Sequence, residues 1–274
     1  MNSPKITSLS AAIAANVQSG QSLALEGFTH LIPFAAAHEL IRQGLRDLTL
    51  IRMTPDLVYD QLIGAGCVRK IIFSWGGNPG VGSLHRFRDA YEQGYPQPLE
   101  IEEYSHAAMA NAYQAGASGL PFAVLRGFLG TDLARLNPEH IRWVTCPFTG
   151  ESLAAVRALQ PDVTIIHAQQ ADREGNVRLW GIVGVQKEAA LAAQKVVVTV
   201  EEIVDKFEGS ANDCIIPHWV INNVALVPKG AAPSYAMGYY KRNNAFYLAW
   251  DEIARSREGF QQWIAQQILS NPQH

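Results

Sequence analysis

A chain of 274 residues with 17% charged and 48% hydrophobic side chains carries fewer charges than an average soluble domain, which has about 25%. We therefore expect part of its surface to be buried against another subunit. A net charge of −3 argues against nucleic acid as the main partner. Three scattered cysteines without a C-x-x-C motif exclude a disulfide framework and favour a reducing, cytoplasmic location. No apolar run approaches the length of a membrane span, and the N-terminus is predicted to form an amphipathic helix, not a signal peptide.

Short apolar runs alternate with helical patterns through the first half of the chain. Strands are predicted at 22–28, 47–53, 69–73 and 99–104. Helices are predicted at 34–43, 57–63, 83–93 and 107–114. This order predicts an α/β fold with an open, mostly parallel sheet and helices on both faces. Because ligands bind beyond the carboxyl ends of such strands, the loops after Phe28, Phe73 and Tyr104 are expected to converge on one site.

The second half of the chain shows a more mixed pattern. Strands are predicted at 162–168, 176–182 and 195–200, and the turn residues at 172–176 indicate an antiparallel hairpin between the first two. A short alanine-rich helix is predicted at 188–194, and a mostly helical tail at 247–269. Since no linker or repeat is evident, we expect residues 1–274 to form a single domain.

The segment FSWGGNPGVGS (73–83) is the strongest local motif. It places a glycine-rich loop between a predicted strand and a predicted helix, where backbone N–H groups can approach an anionic ligand. No Lys-Ser/Thr pair follows, and the glycine spacing is not G-x-G-x-x-G, so the two common phosphate-binding motifs are excluded. A carboxylate, a thioester or an unusual nucleotide remains as ligand. The alternative is a plain βα turn in which Ser83 caps the helix.

Other residue types that carry chemistry are less informative. The eight histidines are scattered without HxxxH or HExxH spacing, so a metal site is not expected. G-x-S-x-G is absent, which argues against Ser-His-Asp catalysis. Acidic residues lie at predicted strand ends, where they are general acids, nucleophiles or solvated turn residues: Glu26, Glu102, Glu103, Glu201 and Glu202. His106, at the start of a predicted helix, is either a backbone-bonded terminal residue or a donor to a ligand. His167, inside an apolar strand, is interpreted as a core residue.

Several long segments together resemble the family I CoA-transferases, and within them the A-type subunits of the 3-oxoadipate and glutaconate branch. They are SLALEGFTHLIP (22–33), residues 47–90, LEIEEYSHAAMANAYQAGASGLPFAVLRG (99–127), VTCPFTGE (144–151), residues 161–193 and VVVTVEEIVD (196–205). The chain departs from the broader family signature at Ser19, Glu26 and Leu31 in a manner typical of this branch. The resemblance covers nearly the whole chain and implies the family fold.

The resemblance also implies a function. Family enzymes use a glutamate that attacks the donor acyl-CoA and becomes a glutamyl-CoA thioester. In split enzymes this glutamate lies on the partner subunit, the B type, so no residue of this chain is expected to be the nucleophile. The expected activity is transfer of CoA from succinyl-CoA to 3-oxoadipate during aromatic-compound (β-ketoadipate pathway) degradation, by a heteromer, two A and two B subunits, without a cofactor besides the CoA thioester substrate.

The same resemblance assigns this chain half of the active site. Its expected substrate-binding residues, with His106 as a supporting catalytic candidate, are Ser74, Gly76, Gly77, Asn78, Ser83 and His106. Three alternatives stay open: one chain of a glutaconate-type dicarboxylate CoA-transferase, one chain of a hydrolase that opens a carbon–carbon ring bond of a CoA thioester, and a CoA-binding chain without chemistry. In such hydrolases an acid occupies the position that aligns with His106, so the hydrolytic group would be missing here.

Overall fold

The computed structural model describes residues 5–128, 130–208 and 213–270. The strands are β1 (Ser22–Glu26), β2 (Leu48–Ile51), β3 (Val68–Phe73), β4 (Glu100–Glu103), β5 (Phe122–Leu125), β6 (Ile141–Thr145), β7 (Ser152–Arg157), β8 (Val163–Asp172), β9 (Val177–Leu179), β10 (Lys195–Val204), β11 (Cys214–Ile216) and β12 (Asn223–Leu226). The helices are α1 (Leu9–Asn16), α2 (Phe34–Arg42), α3 (Leu57–Gly64), α4 (His85–Gln93), α5 (His106–Ala117), α6 (Leu133–Leu136), α7 (Gln186–Ala192), α8 (Asn244–Arg255) and α9 (Arg257–Trp263). A 3₁₀ turn lies at His218–Val220, and a π-helical segment, Ile264–Leu269, continues α9.

A nine-stranded sheet forms the centre of the fold. Strands β4, β3, β2, β1, β8, β10 and β12 follow one another across it, and all their pairings are parallel. Strand β8 also pairs with β9, and β9 with β11, in antiparallel fashion. The α/β class, the mostly parallel sheet and the hairpin of β8 and β9 are therefore confirmed. Strands β8 and β10 both run about four residues beyond their predicted ends.

The central strands are buried on both faces, as their uninterrupted apolar sequences require. In β1, Leu23 and Leu25 join one hydrophobic cluster, while the intervening Ala24 joins a second. The first cluster takes side chains from α1, α2, α3, α8 and α9; the second takes them from α5 and α7. Because successive strand residues point to opposite faces, this alternation places helices on both faces of the sheet.

A second sheet of three antiparallel strands, in the order β5-β7-β6, was not predicted from the sequence. It packs on α5, which passes close beneath it at Gly116. A Cβ added at Gly116 would lie 2.0 Å from the carbonyl oxygen of Leu159, so this contact excludes any side chain at that position. Gly116 therefore allows α5 to approach the segment that follows β7 closely.

One predicted boundary near the glycine loop is wrong. Helix α4 begins at His85 and not at Ser83; its N-cap position is Leu84, an apolar residue that provides no capping side chain. Ser83 and Leu84 therefore separate Gly82, the last glycine of the loop, from the helix, and the loop does not open directly onto a helix N-terminus. Among the described residues, no helix is long and apolar enough to cross a membrane.

Candidate active site

A cavity of about 290 Å³ lies at the carboxyl ends of β1 to β4. The loops that follow these four strands converge on it, as predicted for the loops after Phe28, Phe73 and Tyr104. Its walls come from eight residues: Phe28, Thr29, Arg52, Thr54, Asp56, Trp75, Pro79 and His106. This volume suits a small organic acid better than a whole nucleotide.

His106 is the first residue of α5 and lies on the cavity wall. Its Nδ1 is 3.1 Å from Oγ of Ser74, and that hydroxyl donates to the carbonyl oxygen of Met53 at 2.7 Å. Ser74 has one hydroxyl proton, which it donates to the carbonyl oxygen of Met53. Nδ1 of His106 must therefore be the donor in its hydrogen bond with Ser74. This leaves Nε2 as the ring nitrogen that can bond to a ligand.

Replacing His106 with alanine is expected to lower turnover of the assembled complex by about 100-fold, the smaller end of what a positioned acid–base group contributes. The free energy of unfolding should change by less than about 0.5 kcal/mol, because the side chain is exposed and alanine favours helix. Steady-state kinetics and thermal unfolding measure the two quantities. His140→Ala, a histidine outside this cavity, is the control. Equal turnover in the two variants would show that His106 is only the first residue of α5 and has no part in catalysis.

Arg52 and Asp56 form the buried floor of the cavity. Nη1 of Arg52 is 3.1 Å from Oδ1 of Asp56, and Nη2 donates to the carbonyl oxygen of Gly27 at 2.9 Å. The arginine therefore joins the loops that follow β1 and β2. Its Nε is buried without a hydrogen-bond partner among the described residues. Asp56 also accepts from the backbone N–H of Val58 and so caps α3.

Glu26, the last residue of β1, lies directly beneath these loops and is almost completely buried. Its Oε1 accepts hydrogen bonds from the hydroxyl of Tyr113 at 2.9 Å and from the N–H of Met53 at 3.2 Å. Burial raises the pKa of Glu26 to about 7, against the opposing effects of Arg52 and these hydrogen bonds. Near neutral pH the carboxyl group is thus partly protonated, so it adds little fixed negative charge below the cavity.

The glycine loop contains two residues in the left-handed region that favours glycine: Gly80 with φ 82° and Gly82 with φ 152°. Gly77 is buried and its N–H donates to the carbonyl oxygen of Pro55, whereas Gly76 is exposed. A Cβ at Gly77 would lie 2.9 Å from the indole of Trp75. Gly77 therefore lets the ring of Trp75 lie against the loop.

Of the six residues expected to bind substrate, His106 is the one that lines the cavity, and the side chains of Asn78 and Ser83 lie away from it. Asn78 is buried and its Nδ2 donates to the carbonyl oxygen of Tyr247 at 2.8 Å, while its backbone closes the loop on Gly82. Its side chain thus supports the loop from behind, because the amide is turned towards α8. Ser83 is exposed beyond the end of the loop and does not line the cavity. Ser74 does not line the cavity either, but it is hydrogen-bonded to His106, which does.

Sequence reasoning missed Arg52, Asp56 and Thr29. The signal was present for Arg52, because an arginine that ends the apolar run LTLIR has to be paired when the strand is buried. The other strand-end acids belong to separate clusters. Glu201 accepts from Tyr240 and pairs with His167 at 2.7 Å, and this histidine is buried as expected. Across the part of the chain that the structure describes, no group of His, Cys, Asp and Glu side chains is arranged to hold a metal ion.

Comparison with known proteins places this geometry in a family. Residues 6–226 match the Coenzyme A transferase family model. The chain is 63% identical to the A-type subunit of 3-oxoadipate CoA-transferase from Pseudomonas knackmussii, over 96% of this chain and 93% of that protein. It is 35% identical to the A-type subunit of glutaconate CoA-transferase from Acidaminococcus fermentans, over 98% of this chain and 89% of that protein.

Solved structures agree with the sequence comparison. A chain of the crystal structure of glutaconate coenzyme A-transferase from Acidaminococcus fermentans superposes with a TM-score of 0.89 at 33% identity, covering 98% of this chain and 90% of that chain. A variant of the decarboxylase AibA/AibB superposes with a TM-score of 0.82 at 30% identity, covering 97% and 100%. The match to the family model and the similarity to these relatives lead to one conclusion: the chain is a member of the coenzyme A transferase family.

Proposed function

We propose that this chain is the A-type subunit of a CoA-transferase that moves CoA from succinyl-CoA to 3-oxoadipate, giving 3-oxoadipyl-CoA and succinate. The observation that carries the proposal is the 63% identity, over 96% of the chain, to a protein named for that activity. At 35% identity the glutaconate enzyme supports the same reaction type on a related dicarboxylate. The proposed role is in the degradation of aromatic compounds.

The size of the cavity supports a small organic acid as the group that accepts or releases CoA. Its volume of about 290 Å³ accommodates an acyl group but leaves the CoA nucleotide outside. The His106 ring and the buried Arg52 provide hydrogen-bonding groups at a cavity whose accessible surface is largely apolar. Both proposed acids are dicarboxylates, so one carboxyl group reacts while the other lies deeper.

The proposed chemistry needs a carboxylate nucleophile, which we assign to a glutamate of the partner subunit. It attacks the succinyl-CoA carbonyl, the CoA thiolate leaves, and a mixed anhydride forms. The thiolate then attacks the glutamyl carbonyl, which releases succinate and leaves a glutamyl-CoA thioester. The two steps run in reverse with 3-oxoadipate. Because one thioester replaces another, the reaction needs no separate energy source, and we propose CoA as substrate and no additional cofactor.

In this scheme the present chain orients the acid and stabilises the oxyanion that develops at its carbonyl. Hydrogen-bond donors fixed before reaction are effective here, because they do not need to reorganise. The low charge content fits a permanent interface with the partner subunit. We propose an assembly of two A and two B subunits.

The test is coexpression with a partner chain that carries the thioester-forming glutamate motif. Each chain alone and the purified complex are incubated with succinyl-CoA and a panel of acids: 3-oxoadipate, glutaconate, adipate and a monocarboxylate. We expect CoA transfer only by the complex and not by either chain alone, and we expect 3-oxoadipate to be the preferred acceptor. Mass spectrometry after incubation with succinyl-CoA should find CoA attached to the partner. A preference for the monocarboxylate, or CoA attached to this chain, would refute the proposal. Opening of a carbon–carbon ring bond in a cyclic CoA thioester, without CoA transfer, would favour the hydrolase.

A further inference from the structure

Residues 230–247 bind the first wall of the cavity, the loop that follows β1, although none of them lines the cavity itself. The hydroxyl of Ser234 donates to the carbonyl oxygen of Thr29 at 2.8 Å, and the N–H of Leu31 donates to the carbonyl oxygen of Tyr235 at 2.9 Å. We call this segment the C-terminal clamp. It lies beyond residue 226, where the match to the family model ends.

The same clamp binds the opposite wall. Nη2 of Arg242 donates to the carbonyl oxygen of Pro79 at 3.1 Å, and the carbonyl oxygen of Tyr247 accepts from Asn78 at 2.8 Å. The guanidinium of Arg242 lies 3.7 Å from the centre of the Tyr247 ring, so its plane is held by a cation–π contact. One continuous segment therefore holds Thr29 and Pro79, which both line the cavity.

The first wall needs this support because its backbone is strained. Thr29 has φ 57° and Leu31 has φ 54°, a region that residues with a Cβ rarely adopt, and Thr29 is also β-branched. Such conformations persist where surrounding contacts over-determine them, and they concentrate at functional sites. The hydrogen bonds from Ser234 and to Tyr235 flank this turn on both sides.

We propose that the C-terminal clamp sets the distance between Thr29 and Pro79, and that Arg242 is a positioning residue for the acid that enters between them. The proposal rests on the proposed function, which makes this cavity the acyl site. Arginine suits the task better than lysine, because its planar group stacks on Tyr247 while one N–H remains directed at the loop. No bond to substrate is required of Arg242.

Arg242→Met tests the clamp, because methionine keeps apolar contact with Tyr247 and loses the donor. In the assembled complex without substrate, hydrogen exchange of peptides covering 74–83 should accelerate about tenfold. The KM for the acid substrates should rise about tenfold with a smaller change in kcat, since loop misplacement mainly weakens orientation. Arg242→Lys should recover part of both effects. Lys241→Met, at the exposed neighbouring position, is the control and should match the wild type.

Ser234→Ala tests the other wall and does not depend on the stability of the Arg242 variant. Exchange should accelerate in peptides covering 27–33 and stay unchanged at 74–83. Unchanged exchange at both loops in both variants would overturn the clamp, whatever the activity. Faster exchange with wild-type KM and kcat for every acid would overturn the positioning role of Arg242. Failure of the proposed function would show separately, as absence of CoA transfer by the wild-type complex.

Discussion

Replacing Arg52 with methionine is expected to lower the free energy of unfolding by about 3–5 kcal/mol, the range measured when one partner of a buried ion pair is removed. The side chains of Arg52 and Asp56 are both almost completely buried, so the substitution leaves a buried carboxylate without its hydrogen-bonded counter-charge, and the more distant Arg242 replaces it only in part. It also removes the donor to Gly27 and so releases the first loop from the second. Chemical unfolding of the variant measures the loss.

The matched control is Arg88→Met. Like Arg52 and Asp56, Arg88 and Glu92 are four residues apart. Nε of Arg88 is 2.8 Å from Oε1 of Glu92, but both side chains are about half exposed. Exposed ion pairs contribute little to stability because water and salt screen them, so this variant should unfold nearly as the wild type. Combining Arg52→Met with Asp56→Asn should recover part of the loss, because the buried carboxylate that had lost Arg52 is then removed as well. Equal losses for the Arg52 and Arg88 variants would contradict the role given to burial.

Gly77→Val is expected to lower turnover about 10- to 100-fold while the free energy of unfolding falls by less than about 1 kcal/mol. The new Cβ would lie 2.9 Å from the outer carbons of the Trp75 indole. Since this ring is 47% exposed, it can rotate away at small energetic cost. Trp75 lines the cavity, so its displacement changes the wall that faces substrate. Turnover and thermal unfolding of the assembled complex, measured side by side, test both parts.

Two other glycines of the same loop separate obstruction from strain. A Cβ at Gly76 would meet its nearest described neighbours at 3.8 Å, so Gly76→Ala should leave both stability and turnover close to wild type. Gly80, with φ 82°, is strained by any side chain, and Gly80→Ala should cost about 1–2 kcal/mol of stability. Wild-type turnover in folded Gly77→Val would reduce the glycine loop to a simple strand–helix connection.

The sequence predicted the features that depend on local pattern. Alternating strands and helices identified the parallel sheet, and the rule for carboxyl ends of strands brought Phe28, Trp75 and His106 together. The glycines of the 73–83 segment indicated positive φ, which Gly80 and Gly82 adopt. These inferences succeed because the relevant interactions lie within a few residues or follow from the direction of the strands.

Long-range contacts were beyond the reach of such patterns. Asn78 looked like a ligand donor, yet its amide is bound by Tyr247, 169 positions later. The second sheet was missed because β7 buries Ala154, Ala155 and Val156 consecutively and shows no alternation of exposed and buried residues. The hydrogen bond from Arg52 to Gly27, 25 positions earlier, likewise depends on which loops meet in space.

The position of the clamp in the chain determines when the site is completed during synthesis. Thr29 and its partner Ser234 are 205 residues apart, so at about 5–20 residues per second the first loop waits about 10–40 s for its support. Strands β1 to β4 and the loops between them are all translated before that moment. A nascent chain stopped before residue 230 therefore lacks Ser234 and Tyr235, the contacts that support the strained turn at Thr29, and the cavity is among the last parts to reach its final shape.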